Sequence, residues 1–123
     1  MNKYRDKSDF EINKAVAEII HPGKIFTQAY SFGDTCGNSV QWIGGYAEYI
    51  HVDFCKDPAD AMPIVIENKI CMAYDVFAEE RDGGSWVAQP AYGFSDERVR
   101  SDNYYRAAMI CFLMMKDAEN EKS

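Results

Sequence analysis

A tyrosine, a histidine and an aspartate alternate along one apolar segment of the chain, at Tyr49, His51 and Asp53. A carboxylate that orients an imidazole is half of a general-base arrangement. Side chains two positions apart on a strand are separated by about 7 Å at Cα, because each residue advances the strand by about 3.4 Å. The pattern is therefore more typical of a polar stripe that faces solvent, and a small enzyme using these three residues is kept as an alternative.

Metal binding is the second chemistry that the residue types of this chain could support. His51 and Cys55 are four residues apart, which is a zinc-like spacing on a helix. Here they fall on a predicted strand and its end, where such side chains are too far apart to share an ion easily. Asp57 and Asp60 stand at a predicted helix start, where carboxylates favour the helix dipole and need no metal. The sequence predicts neither a metal nor a cofactor.

Aromatic residues are plentiful on or beside the predicted strands. A sheet has two faces, and three predicted helices are too few to cover all of this surface. An uncovered aromatic face makes a good partner surface, since Trp and Tyr combine rigid contact area with a polar group. The candidates for such a face include Trp42, Tyr49, Trp86 and Tyr92.

Arginines near the last helix are the only candidates for binding a phosphate. Arg98, Arg100 and Arg106 precede or open that helix, and helix N-termini and guanidinium groups both bind phosphate. We count Arg98 and Arg100 with the four aromatic residues as binding candidates.

Three helices are predicted from capping signals and apolar spacing. Ser8 and Glu11 form a capping box before a helix over 9–20, which ends at Pro22. Asp57 and Pro58 open a short helix that reaches about 62 or 66, with Pro63 kinking or ending it. The last helix spans about 103–118, is capped by Asp102 or Asn103, and is apolar all round in its middle, which indicates the central core element.

Strands are predicted over 24–30, 40–43, 46–54, 69–77 and 86–92. In the fourth, alternation places Ile70, Met72, Tyr74 and Val76 on one face. Pro90 indicates that the fifth strand lies at or near an edge of the sheet. Short connections favour antiparallel pairing. The predicted fold is α+β: an antiparallel sheet of three to five strands with an N-terminal, a short middle and a C-terminal helix, in one domain over 1–123 with frayed ends near 1–7 and 119–123.

Charge, hydrophobic runs and cysteine spacing argue against nucleic-acid, membrane and disulfide-bonded classes of protein. The net charge of the chain is −7, and residues 25–123 taken alone have a net charge of −8. Such a chain repels phosphate backbones, so a nucleic-acid partner is not expected. No apolar run approaches the roughly 20 residues of a membrane helix, so no membrane partner is expected either. Cys36, Cys55, Cys71 and Cys111 form no Cys-x-x-Cys pair, which favours free thiols in a cytosolic protein.

Three blocks of the chain resemble the NinX-like family of small tailed-phage proteins. They are SDFEINK at 8–14, DFCKDPADAMPIVI at 53–66 and RAAMICFLMM at 106–115. The family's function is unassigned, so the resemblance implies a phage origin and the cytoplasm of a bacterial host, and it implies no chemistry.

Three functions remain open. The leading hypothesis is a non-enzymatic phage accessory protein that binds and modulates a host protein with a basic surface, for example a defence component. This hypothesis rests on the acidic charge, the surplus of aromatic residues and an analogy with other small phage proteins. The alternatives are a protein that sequesters a small molecule such as a nucleotide signal, and the small enzyme already described. The oligomeric state is not predicted.

Overall fold

A computed structural model of the chain describes residues 3–29, 38–43, 49–91 and 98–121. The described residues form three α-helices and six β-strands, with three strands between each helix and the next and one short 3-10 helix at Glu80–Asp82. The helices are α1 (Asp9–Ile20), α2 (Pro58–Glu67) and α3 (Tyr104–Glu121). The strands are β1 (Thr27–Ala29), β2 (Ser39–Ile43), β3 (Tyr49–Val52), β4 (Ile70–Tyr74), β5 (Trp86–Pro90) and β6 (Val99–Ser101).

The helix ends follow the capping residues. At α1 the Ser8 hydroxyl accepts from the Glu11 N–H, and the Glu11 carboxylate accepts from the Ser8 N–H, so the predicted capping box is confirmed. Asp57 caps α2, with Pro58 at its start. Pro63 lies inside α2 without ending it, so the longer of the two predicted lengths is confirmed. Asn103 accepts from the N–H groups of the first turn of α3.

The strands form two three-stranded antiparallel sheets, one in the order β1-β2-β3 and one in the order β4-β5-β6. The α+β fold with antiparallel pairing and N-terminal, middle and C-terminal helices is confirmed. The single sheet of three to five strands is replaced by two sheets. In the first sheet Val40 pairs with Val52, and Trp42 pairs with Ile50, so these four side chains share one face. In the second sheet the matching face carries Ile70 and Met72 of β4 opposite Pro90 and Ala88 of β5.

The strand containing Pro90 was predicted at or near an edge, and β5 is not an edge strand but the central strand of a three-stranded sheet. Pro90 is tolerated there for a local reason. The β6 pairing covers only Trp86 to Ala88 of β5, so at Pro90 the missing N–H is not needed for a bond to β6.

Helix α3 is the centre of the core, as predicted. Its residues from Ala107 to Leu113 are all buried, and Phe112 is 1% exposed. One side of α3 packs against the second sheet, and α1 and α2 pack against its other sides, while β2 packs against α1. None of the helices in the described ranges is long and apolar enough to cross a membrane.

The N-terminal turn at residues 3–7, which we predicted to be frayed, is anchored to the C-terminal helix. Tyr4 is buried, and its hydroxyl donates to the Asp117 carboxylate over 2.6 Å. Burial, together with that carboxylate, raises the pKa of Tyr4 above its usual range. Helix α3 also continues to Glu121, beyond the predicted start of the frayed tail at 119.

Candidate functional site

The end of the β4–β5 pair carries a row of aromatic rings. Tyr74 and Trp86 are cross-strand partners, with ring centroids 5.0 Å apart and edge-to-face. Trp86 in turn meets Tyr104, the first residue of α3, at the same centroid distance. Trp86 is therefore half-buried between two rings, and Tyr74 is the more exposed member, at 56%.

The turn that follows β4 is held by one carboxylate. Asp75 accepts from the Phe77 N–H over 3.0 Å and from the Arg100 guanidinium over 2.8 Å. The Asp75 N–H donates to the Ser85 carbonyl, which closes the turn against the start of β5. The bond from Arg100, with the bond from Phe77 next in importance, holds the pKa of Asp75 below its usual range.

This turn presents apolar side chains to solvent. Val76 is 72% exposed and Phe77 is 88% exposed, directly after Tyr74. We call Tyr74, Val76 and Phe77 the turn surface. The prediction that Val76 continues the strand face of Ile70, Met72 and Tyr74 is wrong, because the strand ends at Tyr74 and the Asp75 turn breaks the alternation. An aspartate after a run of alternating residues was the signal that could have shown this.

A glycine lets the returning strand pass close to β6. Gly84 has φ +134, and a Cβ there would lie 2.2 Å from the Ser101 carbonyl carbon. Gly83 also has a positive φ, of +91, but a Cβ there would meet open space. The Gly84 carbonyl accepts from Arg100 over 3.4 Å, so the same arginine contacts both ends of the connection between β4 and β5.

Acidic residues surround the turn surface. Asp75, Glu79, Glu80 and Asp82 outnumber the single Arg81, giving residues 75–82 a formal charge of −3. Arg81 pairs with Glu79 over 2.9 Å, and both side chains are well exposed. The apolar turn surface therefore has a negative rim.

The other predicted aromatic candidates do not join Trp86. Trp42 lies on the first sheet and is only 6% exposed, with its ring packed against Phe26 and His21 at centroid distances of 5.4 and 4.7 Å. It is a core residue that reaches the surface only at the edge of a shallow apolar cavity. Tyr49 pairs with Ile43 on β3, also on the first sheet. Tyr92 lies outside the described residues.

The predicted arginine candidates do come together. Arg98 and Arg100 line one open cavity of about 410 Å³ with Arg106, and Arg5 is a fourth arginine in its wall. Sequence reasoning missed Arg5, because the contact between the N-terminal turn and α3 spans about a hundred residues.

The predicted group of Tyr49, His51 and Asp53 is divided between strand β3 and the segment that follows it. Strand β3 ends at Val52, and the Asp53 carboxylate accepts from the fully buried Asn13 over 2.9 Å. The predicted solvent-facing position of Asp53 is therefore wrong, since the chain leaves the strand before it. His51 is exposed on β3 opposite Gln41.

Cysteine and carboxylate side chains are possible ligands for a metal ion. Cys55 and Cys71 are free thiols, Cys55 and Cys111 are buried while Cys71 is exposed, and Cys36 lies outside the described residues. Burial raises the pKa of the Cys55 thiol above its usual range, which keeps the thiol protonated. In the part of the chain that the structure describes, histidine, cysteine and carboxylate side chains do not cluster in a group able to hold a metal ion.

Comparison with known proteins gives a family. The family model described as "Bacteriophage P22, NinX" matches residues 3–116, which is most of the chain. Neither the curated proteins nor the solved structures gave a match. The expected relation to phage proteins, first indicated by three short blocks, thus extends over both sheets and all three helices. The chain belongs to the bacteriophage P22 NinX family.

Proposed function

We propose that this chain is a non-enzymatic phage accessory protein that binds a host protein through the turn surface. The observation that carries the proposal is the exposure of Val76 and Phe77, at 72% and 88%, in a turn with a fixed backbone. Single exposed apolar residues are ordinary on protein surfaces, but adjacent ones with an aromatic neighbour form a patch. Tyr74 supplies that neighbour.

The turn is suited to binding because it is ordered before any partner arrives. Asp75 fixes the backbone on either side of Val76 through its bonds to Phe77 and Arg100. A side chain presented on a rigid turn loses less conformational entropy on binding than one on a loose loop. Phe77 would therefore act as the anchor, and Tyr74 would flank it.

The charge around the turn surface indicates the kind of partner. An apolar centre with a formal charge of −3 in residues 75–82 complements a protein with an apolar pocket in a basic surface. Since the family is a phage family, that partner is expected in the cytoplasm of the bacterial host, and a defence component is one example. The acidic charge argues against nucleic acid as the partner.

The test is site-specific photo-crosslinking in host cells. A phenylalanine analogue with a benzophenone group replaces Phe77 in one variant and Ile25 in a matched variant, since Ile25 is 85% exposed beside the first sheet. After irradiation, we expect a discrete adduct with one host protein from position 77 and not from position 25. Absence of an adduct at 77, or the same adduct from both positions, would show that the turn surface is not the contact.

A further inference from the structure

The cavity between the N-terminal turn, β6 and the start of α3 has an unusual lining. Four of the five arginines in the chain face it, and none of the lysines within the described ranges does. We call it the arginine cavity, defined by Arg5, Arg98, Arg100 and Arg106. Two aspartates, Asp6 and Asp82, also line it, so its lining has a formal charge of +2 in a chain of −7.

Two of the arginines are fixed by contacts inside the protein. Arg106 donates to the Asp9 carboxylate over 2.5 Å and to the carbonyls of Arg5 and Lys7. Arg100 donates to Asp75 and to the Gly84 carbonyl. Their side chains are only 19% and 27% exposed, so these two guanidinium groups are held in place with their charge compensated.

The other two arginines are available. The guanidinium groups of Arg5 and Arg98 make no ion pair or hydrogen bond with any residue in the described ranges, and both residues are exposed. An anion in the cavity would therefore meet two guanidinium groups with open donors, next to two arginines already oriented, although Asp6 and Asp82 in the lining and the nearby Asp75 reduce the positive charge. Guanidinium groups match phosphate oxygens with paired N–H donors, which a lysine cannot provide.

Polar and apolar groups complete the lining. The Ser101 hydroxyl oxygen accepts from the Asn103 N–H, which leaves its own hydrogen free to donate. Val99 and Ile110 lie behind the lining and are each only 2% exposed, so the polar groups form most of the surface that a ligand would meet. A volume of about 410 Å³ is within the range of cavities that bind small molecules.

We propose that the arginine cavity binds a small molecule carrying a phosphate group, with the phosphate between Arg5 and Arg98 and the organic part in the remaining volume of the cavity. This site does not depend on the proposed protein partner, because Phe77 is not part of the cavity. Failure of one proposal therefore leaves the other standing.

The experiment is calorimetric titration of the full chain at low salt with three probes: inorganic phosphate, adenosine monophosphate and adenosine. We expect the two phosphates to bind, and adenosine to bind at least tenfold more weakly than its monophosphate. Arg5→Gln and Arg98→Gln should each weaken phosphate binding about tenfold or more without a marked loss of melting temperature, since neither guanidinium group has an ion pair or hydrogen bond within the described ranges.

Arg81→Gln is the matched control, because it removes the same charge from the one arginine outside the cavity. We expect it to change phosphate affinity by less than about twofold. The proposal is overturned if neither phosphate binds, if adenosine binds as well as its monophosphate, if Arg5→Gln and Arg98→Gln bind normally, or if Arg81→Gln loses as much affinity as they do.

Discussion

Asp75 is the residue that converts the end of a strand into a presented turn. Its carboxylate joins the Phe77 backbone to Arg100, and Arg100 also bonds to Gly84 at the far end of the connection. Arg100 was expected from the sequence to bind a ligand directly. Its observed contacts instead hold the Asp75 turn behind the turn surface, and the same side chain forms part of the wall of the arginine cavity.

The Asp75 contacts predict a pH-dependent stability. The folded pKa of Asp75 lies below its unfolded value of about 3.9, so ionised Asp75 stabilises the fold. This contribution is complete above the unfolded pKa and is lost as pH falls through the lowered folded pKa. Asp75→Asn should therefore melt at a lower temperature than the wild type at pH 7, and the difference should shrink as pH falls below the unfolded pKa of Asp75.

Thermal unfolding followed by circular dichroism between pH 7 and pH 2 measures this difference. Asp102→Asn is the control, since Asp102 is exposed and has no such pair of bonds in the described structure. A difference between Asp75→Asn and the wild type that stays constant with pH would contradict the role assigned to the charge.

At the scale of single residues, alternation in the sequence predicted the direction of a side chain only for residues within a strand. Alternation correctly grouped Ile70 with Met72 on one face of β4. It was wrongly extended to Val76 and Asp53, which both follow the last residue of a strand. Each error has the same physical origin. Beyond the ladder, side-chain direction is set by turn hydrogen bonds and by distant partners such as Asn13, and neither is visible in spacing.

At the scale of elements, helices were more predictable than sheets. Helix ends depend on local groups, such as the Ser8 hydroxyl and the Asp57 carboxylate, which satisfy nearby backbone N–H groups. The division into two sheets depends on which strands meet across long stretches of chain. The central position of β5 was missed because Pro90 was weighed without knowing that β6 is only three residues long.

The connection from β4 to β5 passes close to the backbone of β6 at Gly84, which predicts the effect of adding a side chain there. Gly84→Ala places a Cβ against the Ser101 backbone at a positive φ, whereas Gly83→Ala adds strain in open space. We expect Gly83→Ala to cost about 1–2 kcal/mol, and Gly84→Ala to cost about 1–3 kcal/mol more. Urea unfolding measures both, and equal losses would show that β6 does not pass as close to Gly84 as the structure places it.

Helix α3 gives a prediction about the core. Phe112 is 1% exposed on the helix that packs against both α1 and the second sheet. Phe112→Ala should lower the free energy of unfolding by about 3–5 kcal/mol. Glu119→Ala, on an exposed part of the same helix, should change it by less than about 0.5 kcal/mol. An unchanged Phe112→Ala melting curve would place this helix outside the core.

At the scale of the whole molecule, the two proposed sites could be predicted only in part. The aromatic surplus and the acidic charge were visible in composition, and three of the four cavity arginines were singled out by their closeness to one helix. The sequence did not show which aromatic residues were free. Trp42 became core because α1 and β2 pack together, while Phe77 was read as the end of a strand and is exposed at 88%.

Trp86 and Phe77 have different parts in the proposed interaction. Trp86 is packed between Tyr74 and Tyr104, so its truncation would disturb the fold as well as the surface. Phe77 packs little against the rest of the chain, so its truncation should leave the fold intact. Phe77 is therefore the residue at which loss of binding can be separated from loss of structure.

The most direct measurement is the Kd of the purified host protein identified by crosslinking, for the wild type, Phe77→Ser and Ile25→Ser, all with unchanged melting temperatures. An anchor residue is worth about 2 kcal/mol or more, so Phe77→Ser should raise the Kd by about 30-fold or more. Ile25→Ser should leave it within about twofold of the wild type. Equal Kd values for Phe77→Ser and the wild type, or equal losses in both variants, would contradict binding through the turn surface.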